Sequence, residues 1–129
     1  MKTPQLVAFQ VCRRATIDQI GKERVYDYLP PEGVAYPFFY IGEMQSVDRA
    51  TKTAQIPTIY QTIHYYSSDF KKRGQATRDL VGVMERLREI DEYDKFKVDC
   101  RSISLQMITD NSTATPLLHG VLDVELLIL

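Results

Sequence analysis

The chain has 129 residues, with 16 basic and 17 acidic side chains and a formal net charge of -1. That near-balance gives no general electrostatic reason to bind nucleic acid or an anionic membrane. Two cysteines, Cys12 and Cys100, make no disulfide framework, and no apolar run approaches the roughly 20 residues that cross a bilayer.

The length fits one domain, residues 1–129, able to bury about two-thirds of its unfolded surface. Both thiols read as buried groups in a reduced compartment. The start, Met-Lys-Thr-Pro, has no apolar stretch behind it, so no secretory signal is expected.

Thr3-Pro4 is a good helix start, because Thr caps and Pro is tolerated at the first helical position. Leu6, Val7, Phe9, Val11 and Ala15 then recur at helical spacing. Gly21 stands where a left-handed cap is expected, so a helix is predicted over 4–20. A short strand follows at 24–28. Pro30 and Pro31 break it, since they cannot continue a helix or a central strand.

Two strands rich in aromatic and β-branched residues come next, over 37–43 and 58–66. In the second, Ile59, Gln61, Ile63 and Tyr65 alternate with Tyr60, Thr62, His64 and Tyr66 on the opposite face. Residues 44–57 between them read as a long polar loop, far beyond an ordinary hairpin turn. Such a loop usually exists to touch something.

Ser67, Ser68 and Asp69 are three possible N-caps for a second helix over 74–90. Its apolar stripe is Ala76, Leu80, Val83, Met84, Leu87 and Ile90. A polar turn at 91–94 leads to a strand region over 95–108. There Phe96, Val98 and Cys100 change phase with Ile103, Leu105 and Met107, the mark of a bulge or a break near Arg101-Ser102. The last strand, 118–129, puts Leu122, Val124, Leu126 and Ile128 on one face, which ties the C-terminus into the sheet. The predicted class is α+β: an antiparallel β-sheet with two main helices packed on one face and a long loop between the central strands.

No pattern for chemistry emerges, so no catalytic residue, cofactor or metal ligand is assigned. His64 and His119 lack a nucleophile motif nearby and read as structural or surface histidines. Cys12, His64, Cys100 and His119 are scattered too widely for zinc. The six glycines never group into a phosphate loop. Asp91, Glu92 and Asp94 read as solvated charge in a turn. Lys71, Lys72, Arg73 and Arg78 form a basic cluster. At a helix start it opposes the macrodipole, which favours a solvated or partner-facing patch over a phosphate site. The strand tyrosines fit a core edge or a protein interface better than a single-strand platform, which normally carries excess positive charge.

Several segments in order carry a family pattern: Arg24-Val25-Tyr26, Leu29-Pro30-Pro31, Tyr36-Pro37-Phe38-Phe39-Tyr40-Ile41-Gly42-Glu43, the strand ending His64-Tyr65-Tyr66-Ser67, and His119-Gly120-Val121-Leu122-Asp123-Val124-Glu125. Over residues 5–129 this order resembles the small tail-completion, or head-to-tail joining (tail terminator), proteins of long-tailed bacteriophages. The resemblance implies a non-enzymatic structural virion protein. It would form a ring, usually of six subunits, at the head-proximal end of the tail, end tail-tube growth and join the tail to the capsid connector. The implied partners are further copies of itself, tail-tube protein and a head-completion or connector protein. DNA would be met only as it passes through the channel, and no membrane is involved. The implied location is the virion head–tail interface, reached from the host cytoplasm during assembly. In that family the strand-to-strand loop takes part in contacts, so Asp48, Arg49 and Lys52, with Arg73 and Arg78 on the helix, are the expected interaction residues. The alternative is a small protein- or DNA-binding module at the head–tail connector without a ring-terminating role.

Overall fold

A computed structural model describes residues 2–50, 55–69 and 71–129, with the backbone alone at 49, 50 and 55. Helix α1 (Pro4–Ile20) starts as its sequence requires. Thr3 Oγ1 accepts from the Leu6 N–H at 3.1 Å, and Gly21 closes the helix at φ 99°, where a side chain would be strained. Strand β1 (Val25–Tyr26) follows a short 3-10 turn. Then come β2 (Phe38–Ala50), β3 (Gln55–Ser67), α2 (Arg73–Glu89), β4 (Glu92–Tyr93), β5 (Phe96–Asp110) and β6 (Leu117–Ile128).

The strands form one sheet in the order β1-β2-β3-β6-β5-β4. Among the described residues only the β1–β2 pair is parallel. The α+β class and the antiparallel sheet with both helices on one face are therefore observed. Ile59, Ile63 and Tyr65 of β3 and Leu118, Leu122, Val124 and Leu126 of β6 form the core with Val7, Val11 and Ala15 of α1 and Leu80, Val83 and Leu87 of α2. The period-2 alternation read from β3 and β6 matches this burial row for row. Gly120 lets α2 settle onto β6, because a Cβ there would lie 2.5 Å from a Leu80 methyl.

Two expectations are overturned. Residues 44–50 and 55–57 are strand, not loop: β2 runs to Ala50 and β3 begins at Gln55, paired as far as Ala50↔Gln55, and 51–54 lie outside the described residues. The polar composition misled because the stretch lies toward the rim of the sheet, where Gln45, Ser46, Val47 and Asp48 face solvent and need no apolar alternation. None of Ser67, Ser68 or Asp69 caps α2 either. The N-cap is Lys72 without a side-chain bond, and Asp69 Oδ1 instead accepts from the Lys71 N–H at 2.8 Å in a turn before the helix. The phase change in β5 is a bulge, with register shifting between Cys100 and Ser102. The turn at 91–94 contains β4 and joins β5 through Asp94 and Lys95, both at positive φ, the backbone pattern of a tight two-residue hairpin. Among the described residues no helix is long and apolar enough to cross a membrane.

Candidate functional site

The sheet face away from the helices has no covering layer among the described residues. Its most organised patch lies where β2, β3 and β6 run side by side. A bulge in β2 builds it: Ile41 pairs with Ile63 and Met44 with Gln61, so Gly42 and Glu43 together face Thr62. Gln61 holds this bulge from inside the core. Its Nε2 lies within hydrogen-bond distance of the carbonyls of Gly42 (3.1 Å), Glu43 (3.0 Å) and Thr62 (3.0 Å), so its two hydrogens serve three acceptors, one of them shared. The sequence placed Gln61 among apolar neighbours without a reason for it, and the bulge is the reason. Gln61→Met keeps the bulk and removes the donor, leaving those carbonyls short of a partner. We expect a loss of about 1–3 kcal/mol in chemical denaturation; an unchanged midpoint would show that the bulge holds itself.

The bulge aims Glu43 at His64. The carboxylate oxygens lie 3.1 and 3.3 Å from His64 Nε2. Gly42 makes room, since a Cβ there would sit 2.8 Å from the His64 ring. His64 Nδ1 in turn lies 2.9 Å from His119 Nε2 on β6. Their ring centroids are 5.1 Å apart. With the nitrogens so much closer than the centroids, the rings meet edge to edge, nitrogen facing nitrogen. Tyr40 lies over His64 at 4.5 Å and 12°, and Tyr66 over His119 at 4.2 Å and 10°. An imidazole pair is thus roofed by two phenol rings, themselves 6° from parallel. Burial raises both phenols, Tyr66 to about 12. The hydrogen bond from His64 holds the Glu43 carboxyl below the usual range, and burial together with the neighbouring His64 lowers His119.

Around this patch the open face is acidic. Asp123 accepts from Thr62 Oγ1 at 2.9 Å, Glu125 accepts from Ser102 Oγ at 3.2 Å, and Asp110 lies at the rim. Among the described side chains of that face, Lys97 and Arg101 are at the far end, toward Leu129. A two-histidine patch with carboxylates suggests metal, yet no group of three or more possible ligands converges among the described residues. The two facing nitrogens point at each other rather than at a common third point, which is the geometry of a hydrogen bond.

The residues expected to make contacts are dispersed. Asp48 is exposed on β2; Arg49 is placed by its backbone alone, and Lys52 lies outside the described residues. Arg73 and Arg78 are exposed on α2, which packs on the covered face of the sheet. The structure does not bring these positions into one site. What it does bring together, Glu43, His64 and His119, was missed. The strand alternation set His64 on the outward face beside Tyr66, but only the β3–β6 register brings His119 across to it from 55 residues away.

No protein-family model matches the chain, and no curated protein matches it. Among solved structures, it is similar to a chain of the virion of a native gene transfer agent particle. The identity is 16% and the TM-score 0.67, over 96% of this chain and 92% of that one. At that identity the likeness is one of fold, and it extends over nearly the whole of both chains.

Proposed function

We propose that this chain is a structural virion protein of the tail-completion type, which assembles with copies of itself into a ring at the head-proximal end of a phage-like tail. One observation carries the reading: the sheet is open at both sides. β1 pairs with β2 at Phe39 and Tyr40, and the chain at β4 covers β5 as far as Val98, whose N–H bonds the Asp91 carbonyl. Residues 41–50 of β2 and 100–110 of β5 therefore have a ladder partner on one side alone among the described residues. Long bare edges are templates for another strand. Two different edges on opposite sides of one subunit make a heterologous contact, which closes into a ring when the rotation allows.

The fold likeness to a chain of a gene transfer agent virion supports a place in a particle of this kind. With the helices outward, the open face would line the channel. Its carboxylates would repel passing DNA rather than hold it. In this reading the chain performs no chemistry of its own. Its partners are further copies, tail-tube protein on one side and a head-completion or connector protein on the other. It would be made in the host cytoplasm and end in the virion.

Mass in solution over a wide concentration range, with and without purified tail tubes, tests this directly. The expected result is a closed oligomer, or a monomer that forms rings on tube ends. A monomer indifferent to tubes at every concentration, with salt-dependent DNA binding, would favour the small binding module at the connector instead.

A further inference from the structure

The hydrogen bonds around His64 fix the tautomers of both imidazoles. An ionised carboxylate only accepts, so His64 Nε2, which faces Glu43, carries the hydrogen and donates it. In the neutral ring Nδ1 is then bare and accepts, so the donor across the 2.9 Å contact is His119 Nε2–H. His119 Nδ1 is left as the bare nitrogen of the pair. A proton added there breaks none of these contacts. A second proton would have to enter His64 Nδ1 and turn the contact into two donors facing each other.

We propose that Glu43, His64 and His119 form a one-proton relay, through which the open sheet face gains a single positive charge at His119 Nδ1 without rearrangement as the medium becomes weakly acidic. The surroundings fit a cation at that place. The Tyr66 face lies 4.2 Å from the His119 ring, close enough for a cation–π contact. Glu43 and Asp110 draw a proton toward His119, from β2 and β5. Burial opposes it and prevails, so uptake at His119 falls below the ordinary histidine value of 6.5. Tyr40 and Tyr66 remain neutral phenols throughout that range. One charge matters here because the face around the relay is otherwise acidic. The relay belongs to the free chain and stands whether or not a ring forms.

Imidazole nitrogen NMR of the uniformly labelled chain, titrated from pH 8 to pH 4.5, tests it. Both rings are expected as Nε2–H tautomers at pH 8. One proton should then enter the pair below pH 6.5, seen at His119 Nδ1. Glu43→Gln should lower the proton affinity of His119 further and free the His64 tautomer, whereas a merely structural Glu43 would leave both unchanged. Thermal unfolding gives an independent readout. The folded chain holds its proton less tightly than the unfolded one, so this contribution to stability is whole above pH 6.5 and is lost as pH falls through the lowered value. His119→Asn should flatten that slope. Two protons taken up independently near pH 6.5, or a His64 Nδ1–H tautomer at pH 8, would overturn the relay.

Discussion

A proline scan across residues 103–106 of β5 is expected to divide into two alternating classes. Along an edge strand, successive N–H groups point to the inner neighbour and to solvent in turn. Where the N–H bonds β6, proline removes a ladder bond and lowers stability. Where it faces outward, the fold should survive and self-association should fail, because the next copy loses a donor at the centre of its contact. Circular dichroism reads the first class and sedimentation the second. The matching experiment on β2 places prolines over residues 45–47, again at alternate positions. The effect on assembly should be all or none at working concentrations, since ring closure multiplies the loss at every contact. Outward-facing prolines that leave the assembly intact would exclude both edges as the ring contact. The conclusion would then shift to the helices, where Arg73 and Arg78 remain exposed.

The largest single loss of stability is expected at the junction of α2 with β6. Leu80 is fully buried, and its methyl groups occupy the space above Gly120 where a side chain would otherwise stand. Leu80→Ala should cost about 2–5 kcal/mol, through lost burial and the cavity left behind. Gly120→Ala should also destabilise, because a methyl 2.5 Å from Leu80 Cδ1 forces the helix or the rotamer to move. The two changes should not add. In the double variant the new methyl enters the space vacated by Leu80, so the loss should be smaller than the sum of the single losses, a coupling read from a double-mutant cycle in denaturant. Strict additivity would mean that the two residues do not meet in solution. The same strand carries His119, paired opposite Tyr66.

The elements that were legible are those with strong periodic burial. Helix α1 is bounded by its own cap residues, and the stripe in α2 and the alternation in β3 and β6 each name a covered face. The bulge in β5 was legible because a phase change in a period-2 pattern has few other causes. The β2–β3 arm was not, because its outer part buries little and shows no alternation to read. The bulge in β2 was hidden for a different reason. It is held by one buried glutamine, and a lone polar residue on an apolar face does not announce which carbonyls it will meet.

By itself, then, the sequence determined the class of the fold and the covered faces of α1, α2, β6 and the inner part of β3. All of these follow from local spacing, which sets where side chains point along one helix or strand. Tertiary structure alone decided what lies across a strand boundary. Among the described residues the sheet order leaves most of the outer edges of β2 and β5 bare, and the β3–β6 register sets His119 beside His64. The staple of Gln61 turns Glu43 onto that pair. These depend on pairings between segments far apart in the chain, and local periodicity carries no information about which segment will be the neighbour.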